Sequence, residues 1–336
     1  MKRFFKRLVA GMAIGAGGSI AGVSGAAIAL ILHVYNEIID AVNNFRKKFK
    51  ESIITLFPIL IGIAIAVIIC VYLFHLAFEY CMFLLICIFA GFLIGSMPGI
   101  TDNVKGVPIK RTHVLFAIAG GLFVIALGAL SVILGAGGNG VEEAFKTMPV
   151  WLYFVLIVVG AISAGGLTVP GFSGGLILLI LGFYRPLMDN AVSYVTEILG
   201  VGKFAGAQSW SHFPQLILML GSFAIGCVIG VALVSKVMSF LLNKHPHFTY
   251  FVIIGFILGS IVVLFFNYDI VNYYRVWAGQ ANPKIHPLNP IYIEMPVSLV
   301  VMGISMFLSY LLVKYHRKVV KEEEEEKEEI QETPAE

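Results

Sequence analysis

From Ile53 to Ala77 the chain carries no Asp, Glu, Lys or Arg, and the same holds from Val114 to Ala136, Leu216 to Leu233 and Pro296 to Val313. Such runs approach or exceed the roughly 20 apolar residues that cross a bilayer as a helix. Only 13% of the 336 residues are charged and 59% are hydrophobic, where a soluble domain has about 25% charged. The short alternating strands of a membrane barrel are absent from the pattern. The chain therefore reads as an all-α polytopic membrane protein.

A repeat then sets the organisation. Sliding the sequence by 149 residues aligns Gly11–Asp40 with Gly160–Asp189, and 11 of the 30 positions are identical. The matches include Ser24/Ser173, Gly25/Gly174, Tyr35/Tyr184 and Asp40/Asp189 in register. A second echo, Gly91–Ser96 against Gly255–Ser260, follows in the same order at a larger shift. Two motifs recurring in one order indicate an internal duplication.

Lysine and arginine give the orientation. Lys2, Arg3, Lys6 and Arg7 precede the first copy and Arg46, Lys47, Lys48 and Lys50 follow it. Both flanks want the cytoplasmic side, so residues 3–35 should enter the membrane and return as a broken hairpin. Three crossings follow at about 53–77, 82–97 and 113–135, completing a first unit over 1–149. The second copy, 150–184, makes a hairpin from the other face. It is followed by crossings at about 214–238, 248–266 and 296–313, in a unit ending at 318. This arrangement puts 18 of the 23 Lys and Arg, and both termini, in the cytoplasm. Two inverted-topology repeats, each a re-entrant hairpin plus three helices, follow the plan of secondary transporters. The acidic run over 319–336 reads as a solvated, mobile cytoplasmic tail.

Irregular backbone survives at membrane depth only where protein buries it or a wet cavity meets it. "GGSIAGVSGA" and "GGLTVPGFSGG" have the composition of such breaks. Glycine lets a ligand approach the backbone, and the helix start after each break presents free N–H groups, an anion site. Two of them from opposite faces would build one central site from Ser24, Gly25, Ser173, Gly174 and Gly175, with Ser19 and Thr168 as further donors. A helix end contributes about 0.3–1 kcal/mol to an anion, whereas a charge at the bilayer centre costs about 2.5–3.5 kcal/mol. A cation or a bound proton is therefore expected there, and Arg185 is the nearest basic candidate. Asp40 and Asp189, which match across the copies, either cap helices or carry a coupling proton or sodium ion.

Other features read as structural. "GFLIG", "GCVIG" and "GFILG" are packing motifs, and the four cysteines are small apolar side chains without a CxxC pair. "GAGGNG" at 135–140 follows a membrane segment and lacks the strand that dinucleotide binding needs. No catalytic set, metal site, cofactor or nucleic-acid partner is expected, and the oligomeric state is left open.

At the paired "GxSGG…LGxY" signatures the chain resembles the polyprenyl-phosphate (undecaprenyl-phosphate) transporter family, formerly a membrane domain of unknown function. The resemblance covers most of residues 8–313. The second copy, Pro170 to Gly175 through Gly182 and Tyr184, matches well, whereas the first has Ala21, Ala26 and His33 where the signature has Pro, Gly and Gly. The resemblance implies return of a polyprenyl phosphate carrier from the outer to the inner leaflet of the cytoplasmic membrane, for reuse in glycan assembly. A small-anion transporter, or a membrane polyprenyl-pyrophosphate phosphatase, is the alternative.

Overall fold

The computed structural model describes all residues except 1, 21–22, 24, 45–46, 134–138, 167–173, 202–207, 267, 281–290 and 333–336. The described chain is helical: α1 (Lys2–Ser19), α2 (Gly25–Ile31), α3 (Tyr35–Asn43), α4 (Phe49–Tyr80), α5 (Met82–Thr101), α6 (Arg111–Ile133) and α7 (Asn139–Thr147) make the first part. The second contains α8 (Val150–Gly166), α9 (Gly174–Ile180), α10 (Tyr184–Leu199), α11 (Phe213–Lys244), α12 (Pro246–Leu264), α13 (Tyr268–Trp277) and α14 (Ile291–Glu332). Six helices, α4, α5, α6, α11, α12 and α14, are long and apolar enough to cross a membrane. The polytopic all-α class expected from the apolar runs holds.

Packing in lipid depends on close approach, because helix surfaces and acyl chains are equally apolar. Glycine supplies it here. Gly11 lies on the backbone of Ile59 and Gly15 on Ile63 and Ala66, so α1 runs parallel to α4. Gly226 lies on Ile157 and Gly230 on Ala161, so α8 runs parallel to α11. Gly91 and Gly95 of α5 meet Met302 and Met306 of α14, while Gly255 and Gly259 of α12 meet Ala117 and Gly121 of α6. The GxxxG runs are packing devices, as their composition suggests.

The same contacts fix directions. Phe74 of α4 meets Phe89 of α5 at 5.5 Å between ring centres, on either side of the single linking residue Cys81. The helices thus fold back on each other. The α11–α12 link repeats this 164 positions later: His245 has φ −138° and ψ 57°, against −150° and 51° at Cys81. Met238 and Ile253, the counterparts of Phe74 and Phe89, line one groove together. Because α6 and α12 are parallel, and each hairpin reverses direction, α4 and α11 run in opposite senses. α1 therefore begins at the end of the bundle where α4 begins, and α8 begins at the opposite end.

The core sits on α5 and α12, where Ile86, Cys87, Ala90, Leu93, Ile257 and Leu264 are sealed from solvent. Leu179 of α9 and Met188 of α10 belong to the same cluster, and Ile20 packs against it. Both copies of the repeated segment thus lean on one core.

Two polar devices secure helix ends. Pro58 inside α4 has no N–H to offer the carbonyl of Ile54. Arg7 of α1 donates to that oxygen at 3.4 Å and holds Glu37 of α3 at 2.9 Å. At the other end, Cys81 gives α5 no side-chain cap. Buried Glu294 of α14 supplies one: its carboxylate accepts the N–H groups of Phe83 and Leu84 and, at 2.8 Å, the hydroxyl of Tyr273.

The acidic run is helical as far as Glu332, where it continues α14 without a break. Glu and Lys are strong helix formers, and a helix already nucleated needs no new first turn.

Replacing Glu294 tests the cap. Glu294→Ala orphans two backbone donors and a hydroxyl, and should cost about 2–3 kcal/mol, while Tyr273→Phe should cost about 1 kcal/mol. Thermal unfolding of both variants in detergent reads the difference.

Candidate functional site

The signature resolves into a repeated local structure. Each short helix, α2 or α9, starts at the glycine following the signature serine and lasts seven residues. Each stops the same way. Val34 N–H reaches Ala29 C=O at 3.0 Å and His33 N–H reaches Leu30 C=O at 2.9 Å. Phe183 to Leu178 and Gly182 to Leu179 repeat the pattern at 2.9 and 3.1 Å. This is the double-bonded C-terminal stop that needs a left-handed residue. That residue is Gly182 at φ +76° and, in the first copy, His33 at φ +54°. The "LGxY" half of the signature therefore encodes a stop followed by a new helix, since Tyr35 opens α3 and Tyr184 opens α10. His33 carries the strain that Gly182 avoids.

Glycines on the front half serve close packing. Gly25 sits against the carbonyl of Ile14, where an added methyl would lie 3.2 Å away, and Gly17 faces the side chain of Ile28. α2 is thereby clamped to α1. α2 also touches α14, and α9 touches α6 and α12. Each short helix thus meets one helix of the opposite half, α2 meeting α14 and α9 meeting α6.

Of the residues expected at the site, Ser24, Thr168 and Ser173 lie outside the described residues. Gly174 and Gly175 form the first turn of α9. Ser19 ends α1, donates its hydroxyl proton to Gly15 C=O at 2.8 Å and meets Cys70 of α4. Cys70 also neighbours Tyr184, whose ring lies 5.3 Å from that of Phe78. One wall, the C-terminal half of α4, therefore brings the end of α1 in the first copy beside the start of α10 in the second.

Arg185 and Asp189, expected in separate roles, sit together. The Arg185 Nε lies 3.5 Å from Asp189, one turn along α10, and Arg185 is buried. The other carboxylate oxygen of Asp189 is 2.7 Å from Nδ1 of His75 on α4. His75 was missed. Its signal was available, as the one ionisable group besides Cys70 and Tyr72 in the run from Ile53 to Ala77. Asp40, the counterpart of Asp189, is exposed on α3. The first copy has Asn36 where the second has Arg185, and its neighbour Glu37 pairs with Arg7 instead. The duplicated site is thus unequal in charge. Among the described residues no group of three or more His, Cys, Asp or Glu could hold a metal.

A third cluster anchors α10 to α11. Burial would raise the Glu197 carboxyl, but hydrogen bonds from His212, Ser211 and Ser209 and the charge of His212 outweigh it and hold Glu197 below the ordinary carboxylate range. His212 lies 2.8 Å from Glu197 and stacks on Tyr194.

The model of the undecaprenyl phosphate translocase-like (VCA0040-like) family matches residues 14–281, which spans both signatures and the helices between them. The chain belongs to that family. A polyprenyl-phosphate transporter of Staphylococcus aureus is 28% identical over 261 residues, 77% of this chain and 85% of the relative. One of Vibrio cholerae serotype O1 is 24% identical over 268 residues, 75% of this chain and 74% of the relative. Family and relatives are named for translocation or transport, not for catalysis. No solved structure matches the chain.

Two predictions follow from the local geometry. Gly182→Val forces a branched side chain into the left-handed region and should cost about 2 kcal/mol, whereas His33→Gly should be neutral or stabilising; thermal midpoints in detergent compare them. The folded-state pKa of Glu197 is depressed, so its stabilisation exists above the unfolded carboxylate pKa and fades as pH falls through the folded value. Glu197→Gln should therefore unfold earlier than wild type at pH 7, with the gap closing below about pH 4.

Proposed function

We propose that this protein transports a polyprenyl phosphate across the cytoplasmic membrane, returning the carrier from the outer to the inner leaflet. Family membership and two relatives named as polyprenyl-phosphate transporters support the substrate class. The observation that carries the mechanism is the doubled seven-residue helix with its repeated C-terminal stop, α2 following α1, which lies on α4, and α9 following α8, which lies on the oppositely directed α11. Such mounting suits inverted repeats whose re-entrant hairpins dip from the two faces, with both termini cytoplasmic.

In this reading the headgroup, carrying about −1.5 to −2 charges, lies between the starts of α2 and α9. Ser24 and Ser173 donate hydroxyls, Gly25, Gly174 and Gly175 donate amides, and Ser19 and Thr168 are reserve donors. Arg185 supplies the counter-charge. The pairing of Arg185 with Asp189 adds a means of control: a proton on Asp189 or His75 changes how much positive charge Arg185 offers the headgroup. Asp189, with His75, is then the coupling site, and solvent-exposed Asp40 is a weaker candidate. The isoprenoid tail stays in the bilayer, so only the phosphate needs shelter from the apolar core.

Flipping of labelled polyprenyl phosphate in proteoliposomes, with proton and sodium gradients varied separately, tests this. Wild type should flip the lipid, and the Ser24→Ala, Ser173→Ala double variant should lose at least about tenfold in rate, equivalent to about 1.4 kcal/mol, with an unchanged thermal midpoint. Chloride or sulfate flux without lipid flipping would point to a small-anion pathway. Phosphate release from the pyrophosphate lipid would point to an enzyme.

A further inference from the structure

A helix follows each C-terminal stop, α3 in the first copy and α10 in the second, and both pack on α4. They meet it at opposite ends. Asp189 of α10 reaches His75, five residues before α4 ends at Tyr80. Near the start of α4, Arg7 of α1 donates from Nη1 to the carbonyl of Ile54 at 3.4 Å and holds Glu37 of α3 at 2.9 Å. Ile54 and His75 are 21 positions apart, a rise of about 31 Å along a helix, and the hydrocarbon core of a bilayer is about 30 Å thick. Each end of this membrane-length interval therefore holds one arginine beside one carboxylate, Arg7 with Glu37 and Arg185 with Asp189.

The repeat does not supply this match. Asn36 stands where the second copy has Arg185, and Leu156 stands where the first has Arg7. The cation at the start of α4 comes from α1, on a different helix from its counterpart, so the likeness of the two ends is not a by-product of duplication.

Arg7 is both fixed and underused. The Ile54 carbonyl lacks its helical partner because of Pro58, so one bond pins the guanidinium to backbone. Nε and Nη2 then both donate to the same Glu37 oxygen, Oε2, at 2.9 Å. The fork closes on one oxygen where a bidentate pair would offer two. Three of five N–H groups are used in this way, and the other two have no partner among the described residues. The Arg7 side chain is 21% exposed, whereas Arg3, Lys6, Lys47, Lys48 and Lys50 at the same end are fully classed with the exposed surface. Those charges attract an anion without fixing its place; Arg7, braced by α3 and α4, can hold one in a set position.

We infer that Arg7 is a second headgroup site, binding the phosphate monoester of the carrier at the end of α4 where α1 begins, in exchange with the Glu37 carboxylate. The inference rests on the transport reading above and deepens it, since the phosphate then meets an arginine at each end of α4. Glu37 stands in for the phosphate between cargoes and keeps the guanidinium paired. A phosphate monoester brings about −1.5 to −2 charges and three acceptor oxygens, against the single carboxylate oxygen that it displaces.

The test uses purified protein in nanodiscs with two photoactivatable probes, an isoprenyl phosphate with a diazirine beside its phosphate and a phosphatidylglycerol with one in its headgroup. Mass spectrometry locates the labelled peptides. The isoprenyl phosphate should label α3 or the first two turns of α4, and unlabelled isoprenyl phosphate, but not the isoprenyl alcohol, should displace it. Arg7→Gln should weaken that labelling about fivefold. Glu37→Gln should strengthen it about twofold, because it removes the competitor and leaves the cation. An ion pair that only anchors α3 gives both variants the same sign, so loss in both, or no change in either, would overturn the site. Equal labelling by phosphatidylglycerol would overturn it as well. If Arg7→Gln fails to fold, Glu37→Gln decides alone: a rise supports the site and no rise overturns it. Binding is read without flux, so a wild type that labels but does not flip lipid would count against the transport reading and leave this site standing.

Discussion

Van der Waals contact between helix backbones is what this bundle depends on. Inside a bilayer no hydrophobic force drives helices together, so a pair holds only where side chains get out of the way. Gly11, Gly62, Gly91, Gly95, Gly160, Gly226, Gly230, Gly255 and Gly259 do this at four parallel interfaces, each laying one helix on a carbonyl of its partner. Two interfaces join neighbours within a half, α1 with α4 and α8 with α11. The other two cross over, since α5 pairs with α14 and α12 with α6. The crossing pairs knit the halves together, and the within-half pairs carry the broken segments as appendages on long helices. A site built on those segments would be held by rigid supports at its edges and by little at its centre.

Polar groups then finish what close packing cannot. A proline in α4 frees a carbonyl, and Arg7 answers it from the next helix. A helix start at Met82 has no cap of its own, and Glu294 answers from the far end of the sequence. In each case the unmet backbone group is satisfied by a side chain on a different helix, so the local defect becomes a tertiary link.

Most of the architecture was readable because bilayer thickness dictates the length of an apolar run, and six such runs stand out. The packing role of the GxxxG pairs was readable for the same reason. What escaped has a physical explanation too. Amphipathic helices such as α3, α10 and α13 carry mixed composition and no length constraint, so nothing marks them in the sequence. The pairing of Asp189 with His75 joins residues 114 positions apart, a distance no local spacing encodes. The stop at Gly182 could have been seen, but the glycine enters the sequence reading only as a signature position and not as left-handed backbone. Its replacement by His33 in the first copy, which looked like a departure from pattern, is a strained version of the same turn. Of the set proposed to contact the phosphate, Ser24 and Ser173 fall outside the described residues, so the chemistry proposed for the centre rests on the sequence and the family.

The two ends of the bundle are not mirror images in strength. One is closed by α13, buried Tyr273 and the Glu294 cap, and the other has an apolar groove lined by His245, Phe248 and Phe256. If the proposed transport cycle interconverts two mirrored shapes, ends of unequal construction would give those shapes unequal energies, so one side would be favoured at rest.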